Sequence, residues 1–143
     1  MGLKVTITTG TGSDLVRAVL CDSPDPVPQA NLRVNGQRVL QVVDLARAEW
    51  VTVRGRGNRR TLVSFETTEL YDSEWEASVA ILDRDAEVPE TGLVEIVITD
   101  GGRTVKRWMN GGGVESVQML GRKGATVRWG YQLIGGEMLK AKP

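Results

Sequence analysis

Raw materials for catalysis are sparse in this sequence. Histidine is absent and Cys21 is the only cysteine, so a thiol nucleophile would lack its usual imidazole base and no internal disulfide can form. A buried or incidental thiol is the expectation for Cys21. The densest cationic feature is Arg54-Gly55-Arg56-Gly57-Asn58-Arg59-Arg60, where guanidinium groups on a glycine-rich backbone could face phosphate or acidic side chains. It lacks the lysine-serine or lysine-threonine ending of a nucleotide loop, and no helix visibly follows it. A positively charged turn between two strands accounts for it more simply. If that turn binds anything, a carboxylate patch on a neighbouring subunit fits first.

Three other groups of residues invite a chemical interpretation. Asp83, Asp85, Glu87 and Glu90 supply oxygen ligands of the kind calcium takes, but the glycine and closing glutamate of an EF-hand loop are missing. A solvated helix face explains them better. Asn110 to Gly113 holds three consecutive glycines after a strand-like run, which allows close backbone approach to a ligand but favours a flexible strand connection. Glu66, Glu69, Glu95 and Glu115 could include the two acids that a glycoside hydrolase sets across a cleft, yet nothing in the spacing selects a pair. Trp50, Trp108, Trp129 and Tyr131 could form a stacking platform for a sugar. Trp129 and Tyr131 alternate as core residues do, so burial is favoured.

The elements that would position these residues are mostly strands. Leu3, Val5 and Ile7 alternate with Lys4, Thr6 and Thr8, and Trp50 to Val53 forms a second strand candidate. Leu62, Val63 and Phe65 belong to a run ending near Leu70 and Tyr71. Leu93–Thr99 and Thr104–Met109 flank Asp100, Gly101 and Gly102, a hairpin signal because glycine tolerates the positive φ of tight turns. Val114–Leu120 and Val127–Ile134 flank Gly121, Arg122, Lys123 and Gly124, which predicts a second hairpin. In the last strand Val127, Trp129, Tyr131 and Leu133 share one face, as in a half-buried antiparallel strand.

One helix interrupts this pattern over about residues 73–87. Ser73 and Glu76 have capping-box spacing. Trp75, Val79, Leu82 and Ala86 recur at steps of four, three and four, drawing an apolar stripe expected to lie on a sheet. Val88 and Pro89 stop the helix. Further upstream, Leu15, Val16, Val19 and Leu20 fit either a short helix or a buried strand. The prolines between Asp22 and Pro28 require an extended connection, and Leu32–Leu45 reads as a strand pair turning at Asn35-Gly36.

Composition agrees with one folded unit. At 143 residues the chain suffices for one core and is short for two. Eighteen basic residues balance eighteen acidic ones, which argues against nucleic-acid binding by bulk charge and leaves little net repulsion to oppose self-association. No signal-peptide pattern and no run long enough to cross a bilayer is present, so residence in the cytoplasm before any assembly is expected. The pattern is therefore that of a mainly β, antiparallel sheet domain with one flanking α-helix, a single domain over residues 1–143.

Arg56-Gly57-Asn58-Arg59-Arg60, the strand through Leu62 and Phe65, the helix after Asp72, the Pro89 stop and the closing Trp129-Gly-Tyr-Gln-Leu-Ile-Gly-Gly resemble small tail-associated structural proteins of bacteriophages and prophages. The similarity covers about the last two thirds of the chain, and the outline is similar to the tail-tube fold, which implies an antiparallel β-sandwich or barrel with one flanking α-helix. No residue spacing in the chain is that of a metal site, and the resemblance implies no catalysis and no cofactor. It implies partners that are copies of itself, as in a hexameric ring, and other tail proteins, with neither a membrane nor sequence-specific nucleic acid, and a final place in a virion or phage-like particle tail. Glycine-flanked arms then become the candidate subunit interface, comprising Arg54, Arg56, Asn58, Arg59 and Arg60 with Arg122 and Lys123 of the second turn. The segment Pro24–Pro28 departs from the pattern. Two other classes stand beside this one, a monomeric β-sandwich module binding carbohydrate or protein, and an enzyme working with carboxylates alone.

Overall fold

The computed structural model describes residues 2–23, 32–44, 49–54 and 58–143. The strands are β1 (Gly2–Thr9), β2 (Val16–Ser23), β3 (Arg33–Asp44), β4 (Glu49–Arg54), β5 (Asn58–Leu70), β6 (Thr91–Asp100), β7 (Arg103–Lys123), β8 (Thr126–Gly135) and β9 (Met138–Leu139). Helix α1 (Glu74–Glu87) links β5 to β6, and a single 3-10 turn spans Gly12–Asp14. The strands join one antiparallel sheet in the order β2-β1-β6-β7-β8-β5-β3-β4, with β9 on β7. The architecture is thus mainly β with one flanking helix.

Alternation builds the core. Leu3, Val5 and Ile7 of β1, Val94 and Ile96 of β6, and Val127, Trp129, Tyr131 and Leu133 of β8 are all buried, as strands with one face inward require. Phe65 and Tyr131 are ladder partners whose rings stack at 5.2 Å. The sheet curls far enough that Cys21 of β2 meets Thr67 of β5. No ladder joins those two strands, so the curl does not close into a barrel.

Several local expectations change in the structure. The Leu15–Leu20 segment is not a helix but leads into β2, and only Leu20 and Cys21 of that strand are core while Val16 and Val19 are exposed. Asn35-Gly36 does not turn: Asn35 pairs with Leu62 and Gly36 with Thr61. Nonlocal ladder bonds along β3 override a dipeptide preference that matters only where the flanking segments pair with each other. β3 pairs with β4 from Asp44 to Val39 and with β5 from Val39 to Arg33, so β4 and β5 follow one another along β3. The basic segment between them therefore does not join two mutually paired strands, and Arg56 lies outside the described residues.

The glycines after Met109 do not end a strand either, because β7 runs on through them to Lys123. Gly111 has φ +66°, and a Cβ on Gly113 would sit 2.3 Å from the Glu90 carbonyl oxygen, so the strand bends where only glycine fits. The second hairpin turns later than the sequence suggests. Arg122 still pairs with Val127 and Lys123 with Thr126, leaving Gly124 at φ +60° and Ala125 to reverse the chain.

The helix begins as its sequence requires. The Ser73 hydroxyl accepts from the Glu76 amide at 3.1 Å, a cap worth about 1 kcal/mol, and Val88 leaves the helix in extended conformation. Its orientation reverses expectation. Trp75 and Leu82 are 77% and 82% exposed, and the buried or half-buried side is Ala77, Ala80 and Ile81. Small alanines let the helix backbone lie close on the sheet, which a row containing tryptophan would not.

Candidate functional site

Two hydrogen bonds fix the segment carrying α1. The Tyr71 amide donates to the Ala125 carbonyl at 2.9 Å, and the Val114 amide donates to the Glu90 carbonyl at 3.2 Å. Beneath the helix a polar cluster completes the anchor. Arg84 donates through Nε to the Tyr131 hydroxyl at 2.7 Å and through Nη2 to Glu69. The Tyr71 hydroxyl donates to the other Glu69 oxygen at 2.6 Å and accepts from Trp129 Nε1 at 3.3 Å. The guanidinium also lies 5.3 Å from the Trp129 ring centroid, within cation–π range.

Electrostatics in this cluster follow from burial. Burial pushes the Tyr131 phenol up to about 12, against the opposing pull of Arg84. Tyr71 is raised for the same reason, reinforced by its bond to Glu69. Burial works to lower the Arg84 pKa, but the Tyr131 and Glu69 oxygens outweigh it and raise it, so Arg84 is a fixed cation. Every polar group here is occupied by another, the pattern of an anchor and not of a reaction site. Nothing in the sequence announced it, since Arg84 sits between two exposed acids and reads as solvated.

Outside the anchor, α1 presents Trp75, Val79, Leu82 and Ala86 to solvent, with Glu76, Asp83 and Asp85 beside them, all exposed. Leu70, just ahead of the helix, is 79% exposed. These side chains place apolar surface on the solvent side of the helix. At the far end of the sheet lies the hairpin of β3 with β4 and the start of β5, carrying Arg54, Asn58, Arg59 and Arg60 of the expected interface.

The remaining candidates separate. Arg122 is held by its own chain, donating to the Glu74 carbonyl at 2.7 Å, to Ser78 Oγ at 2.9 Å and to the Gly124 carbonyl at 2.9 Å. Lys123 is exposed beside it. Glu69 serves the anchor, and Glu95 accepts from Trp108 Nε1 at 3.0 Å. Two strands, β7 and β8, lie between Glu95 on β6 and Glu66 and Glu69 on β5. A shallow groove over Gly130 is lined by Ser64, Glu66, Gln118 and Gln132 with one carboxylate among its described residues, where paired-acid hydrolysis needs two. Asp83, Asp85, Glu87 and Glu90 are exposed, and no group of three or more metal-ligating side chains occurs among the described residues. Trp129 and Tyr131 are each 2% exposed, which removes them from any sugar platform. Cys21 is buried against the Leu3 carbonyl, and burial raises its pKa. No helix among the described residues is long and apolar enough to cross a membrane.

No protein-family model matches the chain, and no curated protein matches it in sequence. Among solved structures, the chain is similar to one in the tail of an empty gene transfer agent particle with C6 symmetry, at 13% identity over 98% of this chain and 96% of that one, with a TM-score of 0.45. It is similar to one in the virion of a native gene transfer agent, at 12% identity over 97% and 95%, with a TM-score of 0.44. A third likeness is to the tube-terminating cap of an anti-feeding prophage, at 14% identity over 97% and 88%, with a TM-score of 0.38.

Proposed function

We propose that this chain is a non-catalytic structural subunit of a phage-like tail, tail-tube-like, which assembles with copies of itself into rings and joins other tail proteins. The observation that carries this reading is the outer edge of β2. That strand ends the sheet order, and its first half exposes Val16 and Val19 beside Leu15. An apolar edge with unpaired backbone groups is a template for another strand, and a neutral chain offers little net repulsion against it. The order of turn, strand and helix signals from Arg56 to Gly136, similar to that of tail-associated proteins, points the same way.

In this reading the ring is hexameric, the subunit collects in the cytoplasm before assembly, and the finished particle tail is its destination. The candidate subunit interface comprises Arg54, Arg56, Asn58, Arg59 and Arg60 with Arg122 and Lys123. The test is native mass across a concentration series by light scattering coupled to size exclusion, with negative-stain images of any large fraction. Rings or tubes are expected. A clean monomer at high concentration would refute self-assembly.

A further inference from the structure

Among the described residues of its own chain nothing covers the outer face of α1, and its flanking charges restrict what can cover it. Trp75, Val79, Leu82 and Ala86 keep the four-three-four spacing of a helix-pairing seam. The positions beside that seam are Glu76, Asp83 and Asp85. Two such helices laid together would set acid against acid, so a second α1 is a poor occupant. The only basic residue between Asp72 and Glu90 is Arg84, against seven acids, and Arg84 is directed inward to Glu69 and Tyr131. A cationic occupant is what this face selects.

The chain carries such an element itself. Residues 33–60 contain seven arginines and two acids, although the whole chain is neutral. Arg38 of β3 and Arg59 of β5 are ladder partners, so the strand register itself brings two of these positions together. Within one chain α1 packs on β7 and β8, so a hairpin that covers its outer face comes from elsewhere. We propose that the acidic, tryptophan-bearing outer face of α1 is the receptor for the arginine-rich hairpin of β3, β4 and β5 of a second copy. This rests on the self-assembly reading above and adds the pair of surfaces that meet.

The test compares wild type with two charge-reversed variants, Glu76→Lys/Asp83→Lys/Asp85→Lys and Arg38→Glu/Arg59→Glu/Arg60→Glu. Mass is read by light scattering and sedimentation, and thermal melts establish that each variant is folded. Trp75→Ser/Leu82→Ser serves as a charge-neutral companion at two exposed positions. Each charge-reversed variant alone is expected to lose assembly by at least tenfold in apparent affinity. An equimolar mixture of the two should recover it, because each then meets its opposite. Wild type assembling while a folded charge-reversed variant assembles equally well would overturn this docking and leave self-assembly standing. Failure of the mixture to recover assembly would also overturn it. Wild type remaining monomeric would overturn both.

Discussion

Replacing Arg84 by methionine keeps the length and apolar stem of the side chain while removing its charge and its N–H donors. The change deletes the bond to the Tyr131 hydroxyl, the ion pair with Glu69 and the contact with the Trp129 ring. A hydrogen bond involving a charged group contributes about 1.5–3 kcal/mol. Glu69 belongs at the low end of that range, because its side chain is 30% exposed and keeps the Tyr71 hydroxyl as a donor. Tyr131 is 2% exposed and loses its charged partner without gaining water. Burial of the methionine stem offsets part of the loss, so about 3 kcal/mol is expected overall. For a chain of this length that is a fall in Tm of roughly 10 °C.

Differential scanning calorimetry reads the shift directly. A double-mutant cycle with Glu69→Gln should return a coupling of about 1–2 kcal/mol, since the two side chains touch. A melting temperature within about 1 °C of wild type, or above it, would mean that the anchor contributes nothing beyond what well-packed apolar groups would, as some buried ion pairs do. The helix would then be held by Ala77, Ile81 and its two flanking backbone bonds.

The same cluster predicts behaviour at high pH. Tyr131 titrates near 12 in the fold against about 10 when unfolded, so the unfolded chain loses its proton first. Stability is then intact below about pH 10 and falls by about 2–3 kcal/mol as pH rises towards 12. Urea titrations at stepped pH should show this fall, and Tyr131→Phe should flatten it; an equal fall in that variant would assign the effect elsewhere. Gly113→Ala places a methyl 2.3 Å from the Glu90 carbonyl oxygen and should cost about 2–4 kcal/mol in urea unfolding, while Gly102→Ala, with open space around it, should stay within about 1 kcal/mol. Cys21, buried with its pKa raised, should resist a thiol reagent in the folded protein and react stoichiometrically in denaturant; rapid labelling under native conditions would contradict its position.

Local chemistry made part of this molecule legible from sequence. The Ser73 cap, the Val88 stop, the Asp100–Arg103 hairpin with Gly101 at φ +61°, and the inward face of β8 all lie where period and turn residues put them. What stayed hidden depends on contacts distant in sequence. The partners of β3 are set by β4 and β5, so Asn35-Gly36 gave a false turn. The Arg84 anchor joins residues up to 58 positions apart, and no local pattern marks them. The direction of the helix stripe was likewise unreadable, because periodicity shows that two faces differ but not which one meets the sheet.

That reversed stripe constrains the assembly. Full burial of Trp75, Val79 and Leu82 is worth about 1.5–3 kcal/mol apiece before the cost of association. One such contact is too weak to hold two copies together at ordinary concentrations. A helix face that receives a hairpin is, however, a contact between two different surfaces, so each copy gives one element and accepts another. Where a twofold axis does not let two copies exchange helix for hairpin reciprocally, such contacts close into a ring when the rotation allows and otherwise continue as a filament. In a closed ring every copy is held on two sides, and breaking one contact does not release it. Individually weak apolar and electrostatic contacts, repeated around the ring and joined by the open edge of β2, then suffice for a stable assembly. An assembly in which α1 of one copy packs on α1 of the next would be incompatible with this pairing, because the acids flanking the two helices would then face each other.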